Sequence, residues 1–186
     1  MNDEAAGWDQ LRDEGEQGVP TAARPHTLVI GLGNPLLGDD GVGWHVAEQV
    51  RRAIADDLPG VEIECLAVGG LSLMERLVGY DRAIVIDALE SGKAQGTVQV
   101  LPLAALPEPE AGHLYSAHDT SFRNALRVGS ALGAPLPSRV TVVGIEAHCG
   151  FEFTETLSPA VSAAIPEAVQ AVIALLRESG EKDEQL

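Results

Sequence analysis

Residues 28–43, LVIGLGNPLLGDDGVG, leave the chain few folds to choose from, because an apolar run breaks abruptly into glycines and then into an amphipathic pattern. Leu28, Val29 and Ile30 suit a buried strand. Gly31 and Gly33 permit close backbone approach, Asn34 and Pro35 are turn residues, and the apolar spacing from about Val42 onward suits a helix. The segment therefore reads as a strand, a functional turn and a helix, with Asp39 and Asp40 at the carboxyl end of the strand. In an open α/β sheet that edge is where ligands bind.

The same alternation continues downstream. Strands are expected at His26–Ile30, Val61–Val68, Ala83–Ile86 and Arg139–Ile145, with helices at about Gly41–Ala55 and from Asp119 or Thr120 to about Leu132. Ser72 and Glu75 have the spacing of a capping box for a short helix ending near Gly79. Thr97–Leu103 reads as an antiparallel edge strand after a turn at Gly92 and Gly96. Ser158 as N-cap and Pro159 at the first helical position open a terminal helix to about Arg177, which Pro166 should kink or whose true start it should mark. This order predicts an α/β three-layer sandwich: a mostly parallel twisted sheet of about five strands with helices on both faces. Residues 26–178 form one domain in this reading, between a flexible acidic leader (1–25) and an acidic tail (179–186).

Charge narrows the function. The chain of 186 residues carries 12 basic against 28 acidic side chains, a net charge of −16, which opposes nucleic acids and anionic membrane surfaces. No apolar stretch approaches the ~20 residues of a spanning helix, and the start of the chain has neither a basic nor a hydrophobic segment, so a soluble, unexported protein is expected. Cys65 and Cys149 could pair only once and read as core thiols, consistent with a reducing cytoplasm.

Several familiar chemistries fail on single residues. The GxGxxG match begun by Gly31 and Gly33 has Leu36 in place of its last glycine, and an acidic turn repels a pyrophosphate, so no nucleotide is expected. The GxSxG pattern around Ser72 ends in Met74, Gly92-Lys93 lacks the rest of a phosphate loop, and neither HExxH nor CxxC occurs. What the strand ends do collect is Asp40 after the first strand, Asp87 after the third, and the loop containing His118. Two carboxylates and an imidazole suit a borderline divalent metal such as Ni²⁺ or Zn²⁺, with coordination positions left open. Each also has a structural reading: Asp39 or Asp40 as the cap of the following helix, Asp87 as a turn stabiliser, His118 as an exposed loop residue. His45 reads as structural or solvated, His113 as a loop residue, and His148 beside Cys149 as a rival ligand pair.

GLGNPLLGDDGVG, the strand ending Ile86-Asp87-Ala88, and Ser116-Ala117-His118, in that order, resemble the hydrogenase maturation endopeptidase family. The likeness spans about Thr27–Leu176 and includes Gly69-Gly70, Val143-Gly144 and Leu157-Ser158-Pro159. It implies a cytoplasmic endopeptidase that removes a C-terminal peptide from the nickel-loaded large-subunit precursor of a nickel-iron hydrogenase. It also implies Asp40, Asp87 and His118 as the metal-contacting and catalytic residues, with nickel carried by the substrate. Some members carry Glu where this chain has Asp40, one methylene shorter here. Gly31, Gly33 and Asn34 would shape the pocket, and Gly69-Gly70 would let a substrate strand pass. The loops at 102–117 and 148–155 are expected to recognise the precursor, and the protein to be a monomer or weak oligomer. Two alternatives stay open beside it. One is a non-catalytic nickel-binding maturation chaperone; the other is a peptidyl-tRNA hydrolase-like enzyme, whose first strand also runs into GLGNP but whose His-Asn pair is absent here, since Val46 follows His45.

Overall fold

The computed structural model describes residues 27–54, 57–106, 119–148 and 153–183. Five strands form one sheet in the order β2-β1-β3-β5-β4: β1 Thr27–Leu32, β2 Val61–Leu66, β3 Arg82–Leu89, β4 Val98–Pro102 and β5 Arg139–Glu146. All pairings are parallel except that of β4, which lies antiparallel on β5 at the edge. From β1 the chain crosses to β2 on one side and returns to place β3 on the other, so the strand order reverses between β1 and β3. That switch point is where an open α/β sheet forms a crevice beyond its carboxyl ends.

Strand alternation sends neighbouring side chains to opposite layers, and both layers are apolar because helices cover both faces. Val29, Ile84, Ile86, Val143 and Ile145 pack with α1 (Val42–Ile54) and α4 (Pro159–Asp183). Leu28, Ile30, Ala83 and Val85 pack on the other face with Leu73 and Leu77 of α2 (Gly70–Leu77) and Phe122 of α3 (Asp119–Ala131). A fully buried aliphatic side chain of this kind contributes about 1.5–3 kcal/mol. The three-layer sandwich expected from the sequence is the observed architecture, including the antiparallel edge strand.

Local details depart from expectation in three places. The capping box is not formed: α2 already begins at Gly70, two residues before Ser72, with Gly69 as N-cap and no side-chain cap hydrogen bond. Gly69 is extended and Gly70 has φ +56°, so the glycine pair supplies the sharp entry that Ser72 was expected to provide. In α4, Pro166 lies inside the helix instead of marking its start, and the helix runs on to Asp183, past the expected end near Arg177. Pro166 is exposed, so the carbonyl that loses its N–H partner faces the solvent side. Finally, Pro159–Glu178 is a 20-residue stretch of mean hydropathy 1.6, apolar and long enough to cross a membrane by composition, contrary to the expectation that no such stretch exists. It is a core helix here. Val161, Ala164, Ile165, Ala168, Val172 and Leu176 are buried, while exposed Ala160, Ala163 and Ala174 raise the average hydropathy of the outer face.

At the amino end of the sheet, Tyr80 donates its hydroxyl to Glu62 Oε2 at 2.7 Å. Desolvation, then the Glu62 carboxylate, push the phenol up from 10.0 to about 12. A raised folded-state value means that the stability linked to this proton is complete below pH 10 and is lost as pH rises through about 12. Folding stability should therefore fall across that interval, less steeply in Tyr80→Phe. Denaturant titrations at stepped pH, with tyrosinate absorbance followed in the folded protein, check this; identical alkaline profiles for the two proteins would contradict it.

Candidate active site

The crevice between β1 and β3 is built on backbone contact. A Cβ on Gly43, in the first turn of α1, would lie 2.3 Å from the Leu32 carbonyl oxygen and 2.4 Å from that of Ile86. The start of the helix thus rests directly on the end of β1 and on β3 beside it, with no room for a side chain between. The turn leading into it is equally tight. Gly33 has φ +122°, its N–H continues the pairing to the Leu66 carbonyl at 3.1 Å, and a Cβ there would fall 1.9 Å from the Asp40 carbonyl oxygen. Trp44 Nε1 donates to the same Leu66 carbonyl at 3.1 Å, tying α1 to the end of β2.

Within this frame Asp40 is half-buried and its carboxylate is fixed. Oδ2 accepts the Asn34 backbone N–H at 2.6 Å, and Asn34 in turn closes its own turn through Oδ1, which accepts the Leu36 N–H at 3.0 Å. Among the described residues Oδ1 of Asp40 takes no hydrogen bond, so one oxygen is oriented by the backbone and the other remains a donor for a ligand. Asp87 lies inside β3, two residues before its end at Leu89, because the buried strand continues past the expected end at Ile86; it is 2 % exposed, with Oδ1 accepting the Ala88 N–H at 2.9 Å. The parallel register pairs Gly31 with Ile86, which sets Asp87 beside the carboxyl end of β1 while β3 runs on to Leu89. Asp40, in the turn after β1, and Asp87, in β3, therefore both belong to the β1/β3 switch point.

His118, the third expected member, lies outside the described residues, as do His113 and Cys149; α3 begins at the next residue, Asp119. No three His, Cys, Asp or Glu side chains converge on a metal position among the described residues. His45 and His148 are exposed. Cys65 is a half-buried free thiol, pushed up by desolvation and packed beside the α1 and α4 core.

Asp39 does not cap α1. It sits in the 3-10 turn Gly38–Gly41 that precedes the helix, is 7 % exposed, and turns its carboxylate away to the start of α4. Oδ1 accepts the Ser158 N–H at 2.6 Å and Oδ2 accepts Gln95 Nε2 at 3.0 Å. Ser158 does stand at the start of α4, since its carbonyl accepts the Ser162 N–H at 2.9 Å, but its hydroxyl receives Gln95 Nε2 at 3.0 Å. The sequence reading also passed over Glu146 at the end of β5. This carboxylate is 2 % exposed and accepts Ser91 Oγ at 2.6 Å, the Lys93 N–H at 3.1 Å and Gln99 Nε2 at 3.4 Å. Three donors on the β3–β4 connection and β4 make it the anchor of that loop. The only sequence signal for it was a lone acid at the end of an apolar strand.

An open α/β sheet with two carboxylates at its switch point, in a sequence with no nucleotide loop or nucleophile elbow, sets the chain apart from the dinucleotide-binding and serine-hydrolase enzymes built on similar sheets. The chain belongs to the hydrogenase maturation protease family, whose model matches residues 44–175. It is 33% identical over 160 residues to the hydrogenase 2 maturation protease of Escherichia coli (strain K12), covering 82% of this chain and 92% of that protein. It is 30% identical over 165 residues to the hydrogenase expression/formation protein HupD of Rhizobium leguminosarum bv. viciae, covering 88% and 79%. Among solved structures it resembles the hydrogenase maturating endopeptidase HybD from E. coli, with a TM-score of 0.68 and 29% identity over 83% of this chain and 94% of that one. The protein is accordingly a hydrolase, a protease of hydrogenase maturation.

The tight turn makes a sharp prediction. Gly33→Ala must either displace the Asp40 carbonyl or adopt a strained backbone, and should cost about 2 kcal/mol or more of folding stability. Urea unfolding checks it, and a midpoint equal to that of the unsubstituted protein would show that the turn is looser than described.

Proposed function

We propose that this protease removes a C-terminal peptide from the nickel-loaded large-subunit precursor of a nickel-iron hydrogenase in the cytoplasm, and that the precursor's own nickel is what Asp40, Asp87 and His118 recognise. The observation that carries the proposal is the pair of carboxylates at the β1/β3 switch point, with Asp40 locked by the Asn34 N–H and its other oxygen turned to no protein donor among the described residues. Oxygen and imidazole donors suit a borderline divalent ion, and a site of only two or three protein ligands leaves positions for groups that arrive with the substrate.

In this reading nickel is part of the substrate. Its capture between the carboxylates and the imidazole fixes the distance between the enzyme and the scissile bond, the kind of positioning that lowers a barrier by removing orientational freedom. Water is the nucleophile: its oxygen joins the acyl carbon, the C–N bond breaks, and the departing amine takes a proton. A carboxylate beside the scissile bond is the group to accept the water's proton. No serine or cysteine among the described residues sits beside a histidine in a nucleophilic pair, and the proposal needs none.

Asp40→Ala and His118→Ala should each abolish processing of nickel-loaded precursor while leaving the circular-dichroism spectrum and unfolding midpoint close to those of the parent. The unsubstituted protein should shorten the nickel-loaded precursor and leave the nickel-free form intact, as read by mass spectrometry. Equal cleavage of both forms would overturn nickel recognition, and normal cleavage by both variants would overturn the residue assignment. A precursor that is bound but never shortened would point to a chaperone role instead.

A further inference from the structure

We propose that Asp39 is a positioning residue for the site: it clamps the turn that carries Asp40 onto the first turn of α4, with Gln95 as a bridge, and so holds the Asp40 carboxylate in its recognition pose. The inference rests on the assignment of Asp40 above and adds two residues that have no direct part in that chemistry.

The contacts between the turn and the α4 side form a continuous set. Leu37 makes an isolated parallel bridge to Thr154, the Gly38 N–H donates to the Thr154 carbonyl at 2.6 Å, and the Thr154 N–H donates to the Leu36 carbonyl at 3.0 Å. Next along the chain, Asp39 accepts the Ser158 N–H at 2.6 Å, at the positive end of a long helix where a carboxylate is favoured. Gln95 Nε2 then joins Asp39 Oδ2 to Ser158 Oγ at 3.0 Å each. Gln95 is placed there because Gly96 packs on the helix: a Cβ on Gly96 would lie 2.6 Å from the Ala160 carbonyl oxygen. Segments from three parts of the chain thus converge on one nearly buried carboxylate.

Asp40 follows directly, and its carboxylate is held from the opposite end of the same turn by the Asn34 N–H. The turn from Asn34 to Asp40 is therefore fixed at both ends, by its own backbone at Asn34 and by α4 at Asp39. Release of the α4 end lets the turn pivot about Asn34, and the bond most exposed to that motion is the one between the Asn34 amide and the Asp40 carboxylate. The two adjacent acids divide the work: one faces the substrate and the other faces the scaffold.

Amide hydrogen exchange of Asn34, compared with Ile30 and Val85 in the core strands, reads this bond directly and needs neither precursor nor nickel. In Asp39→Ala, Asn34 should exchange at least about tenfold faster relative to those reference amides, and kcat on nickel-loaded precursor should fall about tenfold or more with KM within about twofold. Asp39→Asn retains an acceptor oxygen for the Ser158 N–H and should recover most of both losses. An unchanged relative Asn34 rate in folded Asp39→Ala overturns the proposal even if cleavage is lost. Should Asp39→Ala fail to fold, Gln95→Ala removes only one exposed donor and takes its place: a faster relative Asn34 rate supports the clamp and an unchanged rate overturns it. A parent protein that leaves nickel-loaded precursor intact would refute the proposed function, and the exchange comparison would still decide the role of Asp39.

Discussion

Direct contact of the backbone of α1 with the end of β1 and with Ile86 of β3 is the constraint on which the other features depend. With Leu32 and Ile86 carbonyl oxygens 2.3 and 2.4 Å from where a Gly43 Cβ would stand, the helix can approach only because that side chain is absent. The approach fixes the length of the connecting turn, and the length of the turn fixes where its acids fall. A bulkier residue would lift α1 from the strands and open the switch point from beneath. The glycines of the motif are therefore structural, yet their effect is felt at Asp40.

Two neighbouring acids meet different electrostatic surroundings as a result. Asp39 turns inward to the N-terminus of α4, where the Ser158 N–H, Gln95 Nε2 and the helix dipole compensate its charge. Asp40 has one backbone N–H for one oxygen, and among the described residues its other oxygen takes no hydrogen bond. A buried carboxylate that lacks compensation is costly, whereas a half-buried one at a crevice can keep part of its hydration until a cation replaces it. The difference between scaffold and recognition roles lies in how many donors each carboxylate meets.

The sequence made the fold legible because both sheet faces are buried: near-continuous apolar runs mark β1, β3 and β5, and their alternation with amphipathic helices leaves one dominant architecture. The edge strand was readable from its alternation and its flanking glycines. Local cap patterns were less informative. Ser72 and Glu75 have capping-box spacing, but Gly69 and Gly70 had already turned the chain, and exposed alanines on the outer face of α4 give Pro159–Glu178 the composition of a spanning segment although it is a core helix. The partner of Asp39 lies 119 residues downstream, and no local spacing encodes such a contact. Asp40 and Asp87 could be placed at the switch point because element order alone puts the turn after β1 beside β3; His118, one residue before the start of α3, rests on its motif.

The strongly acidic balance of the chain bears on how the proposed site would handle nickel. Asp40 and Asp87 stand in a protein of net charge −16 with only two lysines, and one of these, Lys93, donates its Nζ to Gln99 Oε1. In the proposed site two carboxylates at one switch point would offer oxygen ligands to a divalent cation. Two or three hard or borderline donors form an incomplete coordination shell, and an incomplete shell holds a free ion weakly. A metal that arrives already held by a substrate supplies the missing ligands itself. Under the proposed function, selectivity for metal-loaded precursor would then follow from the incompleteness of the site: the enzyme would read the ion without extracting it.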